Sequence, residues 1–73
     1  MFDRRKLQAQ MVLRGMNVEK LSSQLNLNVS TVYRKLDSGE FSRSEITEIS
    51  DILEMTSEDI INVFFAPNVA PTQ

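Results

Sequence analysis

Residues 17–39, NVEKLSSQLNLNVSTVYRKLDSG, decide the fold because they predict two short helices joined by a tight turn. Asn17 is a good N-cap for the first helix, since its side-chain oxygen can accept a hydrogen bond from the first turn's unpaired N–H groups. Leu21 and Leu25 lie four residues apart and therefore share one face of that helix. Asn26 falls at the turn, where asparagine tolerates the left-handed backbone conformation.

The second helix of this hairpin is capped by Asn28, or one turn later by Ser30, and runs to about Leu36. Val32 and Leu36 form its buried stripe, so most of its polar side chains face outward. A helix held in this way can enter the major groove of DNA, where such side chains bind bases and phosphates. A plain helical hairpin with a polar solvent-facing surface is the alternative. The candidate DNA-binding residues are Asn28, Ser30, Thr31, Tyr33, Arg34 and Lys35.

The composition indicates one small all-α domain without enzyme activity. The 73 residues contain no Cys and no His, which removes thiolate metal ligands, disulfides and the commonest general base. No apolar run approaches the ~20 residues that span a bilayer. We therefore expect a cytoplasmic protein with no metal, cofactor, membrane or small-molecule substrate. Residues 66–73 carry two prolines and no periodicity, so we expect a domain at 1–65 followed by a flexible tail.

The charge of the chain is divided between its halves. The net charge is −2, but residues 1–39 carry seven cationic and three anionic side chains, whereas residues 40–73 carry one and seven. Phosphate neutralisation favours a basic DNA-binding surface, and the basic half contains the predicted hairpin. This division could orient the domain on DNA with its acidic half turned away. It equally suits a basic surface of another protein.

Residues 3–14 are predicted to form the first helix, capped by Asp3 and ended by Gly15. Three cations lie in its first turn, where they oppose the helix dipole. They indicate either a solvated helix end or a contact with phosphate or with an acidic patch of a partner. These cations are Arg4, Arg5 and Lys6.

Two more helices are predicted after Gly39, and Phe41 is expected at the edge of the core. Ser42 and Glu45 form a capping box for the fourth helix, which is expected to end at Met55, and Thr56 caps the fifth. The acidic outer face of the fourth helix is either a solvated surface or a partner contact. Its members are Glu45, Glu48, Asp51 and Glu54.

The fifth helix has more apolar side chains than one face can bury. Ile60 and Phe64, four residues apart, are expected to enter the core. The remaining apolar residues predict a protein interface, unless Phe2 and Val12 of the first helix cover them within one chain. This predicted interface consists of Ile61, Val63 and Phe65.

These patterns resemble the Cro/C1-type helix-turn-helix of phage and bacterial repressors, over about residues 7–65. The run YRKL at 33–36 and the ending DILEMTSEDIINVFF at 51–65 look like short Cro-like proteins and repression modulators of temperate phages of Gram-positive bacteria. The resemblance implies a compact five-helix lambda-repressor-like domain whose C-terminal end often serves dimerisation. The matching residues are Glu19, Leu21, Leu25, Leu27, Ser30, Thr31, Val32, Arg34 and Gly39.

Three positions depart from the family pattern. Val18 stands where the family often has a glutamine that reaches the DNA backbone, Ser22 where it often has alanine, and Asn26 where it often has glycine. Serine is small enough to preserve the helix crossing at position 22. Val29, at the start of the recognition helix, offers only an apolar contact such as one to a thymine methyl group.

Two mechanisms follow from the resemblance. In the first, the chain acts in a phage lysogeny switch together with a partner repressor, as an antirepressor that works by protein contact, with or without a contact to DNA. The acidic balance, Val18 and Val29 favour it. In the alternative, it is a stand-alone dimeric Cro-like repressor of operator DNA, which Thr31, Tyr33 and Arg34 favour. A small structural or assembly module is a third interpretation.

Overall fold

The computed structural model describes residues 1–66, and within them the chain forms five α-helices and no β-strand. This confirms the predicted all-α, five-helix architecture. None of the described helices is long and apolar enough to cross a membrane. The helices are α1 (Arg4–Leu13), α2 (Val18–Leu25), α3 (Val29–Ser38), α4 (Arg43–Ile52) and α5 (Ser57–Phe64).

Four of the helices begin at a side chain that accepts a hydrogen bond from a backbone N–H three residues later, which satisfies part of the unpaired first turn. At Ser42 and Thr56 the third helical residue returns a bond to the cap backbone, so the predicted capping boxes are confirmed. Helix α3 differs, because Asn28 occupies its cap position without a side-chain bond. The four capping residues are Asp3, Asn17, Ser42 and Thr56.

Four of the helix ends reverse the chain through one left-handed residue, namely Gly15, Asn26, Gly39 and Glu54. The prediction that α4 extends to Met55 is wrong. Glu54 has φ 53°, and the Met55 N–H turns back to the Ser50 carbonyl at 2.9 Å, so the helix ends at Ile52. A glutamate in this conformation is strained, because its Cβ crowds the following carbonyl.

The core lies between the helices, with α2 packed on α3 and α4, and α5 packed on α1 and α4. Three aromatic rings close one end of it: Phe2, Phe41 and Phe64 have ring centroids 5.1 to 5.7 Å apart. Phe41 therefore lies at the core edge, as predicted. The buried apolar residues are Leu7, Met11, Leu21, Leu25, Val32, Leu36, Ile49, Leu53, Val63 and Phe64.

The first residues of the chain pair with the end of α5. The Asp3 N–H donates to the Val63 carbonyl at 2.7 Å, and the Ala66 N–H donates to the Met1 carbonyl at 2.9 Å. Ala66, where the flexible tail is predicted to begin, is thus hydrogen-bonded to Met1. The rest of that predicted tail, 67–73, lies outside the described residues.

Arg14 fastens the end of α1 to the end of α4. Its Nε donates to the Leu53 carbonyl at 2.9 Å, and its guanidinium also reaches the Glu54 carbonyl at 3.4 Å. Carbonyls at a helix C-terminus lack intrahelical partners and carry partial negative charge, so a guanidinium there stabilises the helix end.

Replacing Glu54 by glycine is expected to raise the free energy of unfolding by about 0.5–1 kcal/mol. Glycine relieves the left-handed strain and loses part of that gain to its larger freedom in the unfolded chain. Urea denaturation followed by circular dichroism measures the change. The matched control is Glu48→Gly inside α4, which is expected to lower the same quantity by about 1 kcal/mol. A destabilised Glu54→Gly variant would contradict the assignment of strain.

Candidate nucleic-acid interface

The turn between α2 and α3 sets how α3 is presented. Asn26 adopts φ 58° and ψ 39°, so the prediction that this residue makes the left-handed turn is confirmed. The next N–H, that of Leu27, returns to the Ser22 carbonyl at 3.0 Å and closes the end of α2. The backbone of Asn28 is then extended, and α3 begins at once. Only three residues therefore join the two helices, so the start of α3 is held close to the end of α2.

Helix α3 packs against the core through one apolar stripe, and its other face is exposed to solvent. Val32 and Leu36 are almost completely buried, as the spacing predicts. Ser22 of α2 is also buried, and its hydroxyl donates to the Glu19 carbonyl at 2.8 Å, so its polar atom is satisfied within its own helix. The small serine lets α2 lie close to its neighbours without an unpaired polar group.

The open face of α3 carries most of the predicted DNA-binding residues. Asn28, Ser30 and Arg34 are exposed, and Thr31 is partly exposed. Within residues 1–66, no hydrogen bond or ion pair engages the side chain of Arg34 or of Asn28. Their donors and acceptors are therefore available to a ligand.

Tyr33 lies on the flank of this face and not at its centre. Its half-exposed ring borders a shallow cleft between α1 and the start of α2, which Met11, Val12, Met16 and Val18 also line. Its ring therefore contributes to an apolar surface beside the open face of α3.

Lys35 is a predicted DNA-binding residue that does not lie on the open face of α3. Its Nζ lies 3.1 Å from Oε2 of Glu45 at the start of α4, and its side chain is only 22% exposed. The expectation that Lys35 extends outward is therefore wrong for this structure, whereas its contact with DNA stays a prediction. The reason is that residue 35 lies on the flank of α3 that adjoins α4, where a carboxylate meets it.

Glu45 has a lowered pKa in this environment. Burial alone would raise the pKa of its carboxyl group, but the hydrogen bond from the Ser42 backbone N–H and the bond and charge of Lys35 outweigh burial. The Ser42 N–H donates to Oε1 of Glu45 at 2.8 Å, while Oε2 receives Lys35. The same carboxylate thus caps α4 and holds α3.

The three cations of the first helical turn differ in their surroundings. Arg4 pairs with Asp37 near the end of α3, so it helps to join α1 to the recognition helix. Arg5 and Lys6 are exposed, and they remain candidates for a contact with phosphate or with an acidic partner.

Of the three residues predicted to form an interface at α5, two are exposed. Ile61 is 52% exposed and Phe65 57% exposed, but Val63 is 1% exposed and belongs to the core, so its assignment to the interface is wrong. Val63 shares its helix face with Ile60, whereas Ile61 and Phe65 lie four residues apart on the opposite side. Val12 is itself exposed and does not cover them. We call Ile61 and Phe65 the α5 apolar pair.

Helices α2 and α3 are joined by a tight left-handed turn. Helix α3 packs through a narrow apolar stripe and leaves its polar face open. This arrangement defines a helix-turn-helix DNA-binding domain. The chain belongs to the Cro/C1-type HTH DNA-binding domain family, whose model matches residues 6–65. Membership identifies it as a DNA-binding protein of the kind used in transcription regulation. A search of curated proteins and a search of solved structures each found no match. The narrower likeness to phage repression modulators stays a prediction.

The Glu45 carboxylate is expected to make the stability of the domain depend on pH. Because its pKa is lower in the folded chain than the ordinary 4.5, its contribution is fully present above pH 4.5 and is lost as the pH falls through the folded value. Glu45→Gln should therefore lower the free energy of unfolding near neutral pH, by up to about 1 kcal/mol. The difference should vanish in acid. Urea denaturation at a series of pH values measures this, with the exposed Glu48→Gln as control. A difference that is independent of pH would contradict it.

Proposed function

We propose that the chain reads operator DNA by laying the first turns of α3 in the major groove. The exposed face of α3 carries this proposal, because Ser30 and Arg34 are exposed on a helix whose opposite side packs on α2. A guanidinium can donate two hydrogen bonds to guanine, and a serine hydroxyl can bind a base or a phosphate. Asn28, at the start of α3, can bind adenine or the backbone in the same groove.

Operator binding by this fold calls for two copies, and the α5 apolar pair supports a homodimer. Helix-turn-helix proteins commonly read two half-sites one helical turn apart, so each copy supplies one recognition helix. Exposed large apolar side chains are costly in water, and Ile61 and Phe65 adjoin each other on one helix face. Pairing two such faces would remove four apolar side chains from solvent.

A second candidate is a modulator that acts with a partner repressor in a temperate-phage switch. The charge supports it: the chain has a net charge of −2, and seven of its ten acidic side chains lie beyond residue 39. The DNA-facing surface is also less basic than its sequence suggests, since Lys35 and Arg4 are paired with carboxylates. In this mechanism the α5 apolar pair and the exposed acidic residues of α4, Glu48 and Asp51, contact the repressor, and binding to DNA alone is weak. Glu45, predicted as part of this acidic face, is instead paired with Lys35.

Arg34→Ala is expected to weaken operator binding by about 1–3 kcal/mol and to weaken binding to a scrambled duplex much less, because a guanidinium that reads a base contributes mainly to specific binding. Fluorescence anisotropy on the chain's own promoter-region DNA, at two salt concentrations, measures both affinities. The comparison variant is Arg43→Ala on α4, which removes the same charge from the neighbouring helix.

The Arg43→Ala variant changes the net charge by the same amount, so any affinity that it loses should be lost equally on both duplexes. Unchanged operator affinity in Arg34→Ala would contradict base reading by α3. No binding of the wild-type chain to DNA, combined with altered DNA binding by a partner repressor when the two are mixed, would favour the second candidate.

Phe65→Asp is expected to abolish association through α5 while the helical circular dichroism signal is retained, because a charge cannot be buried in an apolar contact without a partner. Sedimentation equilibrium measures it. The matched control is Val12→Asp, which makes the same change at another exposed apolar position. A stand-alone repressor should be a dimer that Phe65→Asp converts to a monomer. A modulator should be a monomer alone and lose only its complex with the repressor. Association retained in both settings would exclude the α5 apolar pair as an interface.

A further inference from the structure

We infer that Glu45 is a positioning residue that holds Lys35 of the recognition helix against α4, away from DNA phosphates, and thereby limits the electrostatic attraction of the domain for DNA. The inference rests on the proposed binding of DNA by α3. Glu45 would thus help to set the affinity for DNA, although it lies on α4 and not on the open face of α3.

The geometry of the Lys35–Glu45 pair differs from that of an ordinary surface ion pair. The two side chains are 22% and 17% exposed, whereas those of the Arg4–Asp37 pair are 40% and 71% exposed. These are the two ion pairs within residues 1–66. Lys35 is thus the more withdrawn of the paired cations, although it belongs to the helix that faces DNA.

The carboxylate that holds Lys35 is itself fixed by the backbone. Oε1 of Glu45 accepts from the Ser42 N–H, and the Glu45 N–H donates to the Ser42 hydroxyl at 3.1 Å. An exposed ion pair is weak partly because two long side chains must be ordered to make it. Here one partner, Glu45, is already ordered by the capping box, so its share of that cost is absent. A phosphate that competes for Lys35 must therefore displace it from a preformed anion.

The consequence concerns the number of cations that α3 offers to DNA. Arg34 is open, whereas the adjacent Lys35 is neutralised by Glu45. Each phosphate that a protein neutralises changes the slope of log affinity against log salt by about 0.9. Freeing Lys35 should add one phosphate contact. The affinity for DNA of any base sequence then rises, and the ratio of specific to non-specific affinity falls.

Glu45→Gln separates the two roles of Glu45. Glutamine also satisfies the third position of a capping box, so the start of α4 should be preserved while the charge that holds Lys35 is removed. Glu48→Gln, at an exposed position on the same helix, makes the same change in net charge and is the matched control. Thermal melts followed by circular dichroism verify that both variants fold.

The first measurement is lysine acetylation by an N-hydroxysuccinimide ester, followed by peptide mass spectrometry without DNA. The chain has three lysines, so Lys6 and Lys20, both exposed, serve as internal references. Lys35 should react several-fold more slowly than Lys20 in the wild type and in Glu48→Gln, and at a similar rate to Lys20 in Glu45→Gln. Equal rates in the wild type, or no change in Glu45→Gln, would overturn the inference whatever the chain binds.

The second measurement is the salt dependence of affinity for a duplex, by fluorescence anisotropy. The slope for Glu45→Gln should be steeper than that for Glu48→Gln by about 0.9, and Lys35→Met in the Glu45→Gln background should abolish the difference. Equal slopes for the two single variants would overturn the inference while leaving DNA binding intact. If no form binds DNA, the proposed function fails, and the role of Glu45 in DNA affinity fails with it; the acetylation rates then still show whether Glu45 holds Lys35.

Discussion

The left-handed turn at Asn26 constrains the relation of α3 to the rest of the domain. Its φ of 58° directs the Leu27 N–H back to the Ser22 carbonyl, which ends α2 and starts α3 after only three residues. With so short a connection, the angle between the two helices is fixed by backbone geometry and not by side-chain packing alone. The burial of Val32 and Leu36 then determines which face of α3 remains open. Most other features of the reading surface depend on this turn.

The sequence predicts the parts of the fold that depend on local chemistry. Helix starts follow from Asp3, Asn17, Ser42 and Thr56, because a cap bond joins residues three apart and needs no tertiary information. The buried stripe of α3 follows from 3.6-residue periodicity in the same way. The end of α4 could not be predicted in this way, because glutamate seldom adopts the left-handed conformation that Glu54 has here.

The errors in the predicted site arise from contacts between distant parts of the chain. The sequence contains five apolar residues in positions 60–65, and periodicity alone does not show which of them α1 and α4 will cover; Val63 is covered and Ile61 is not. Lys35 and Glu45 were each predicted correctly as residues of helices. Their pairing depends on how the side of α3 meets the start of α4. The hydrogen bonds from Arg14 to the carbonyls that follow α4 also join distant parts of the chain. No pattern in the sequence indicates them.

The pairing of residues 1–3 with residues 63–66 has a consequence for folding on the ribosome. The Asp3 N–H bonds to the Val63 carbonyl and the Phe2 ring packs on Phe64, and both partners belong to the last of these five helices to be synthesised. Among these five helices, α1 therefore leaves the exit tunnel first but completes its contacts last. Until α5 emerges, Leu7 and Met11 have an incomplete core, and the nascent chain should gain its final stability in one late step.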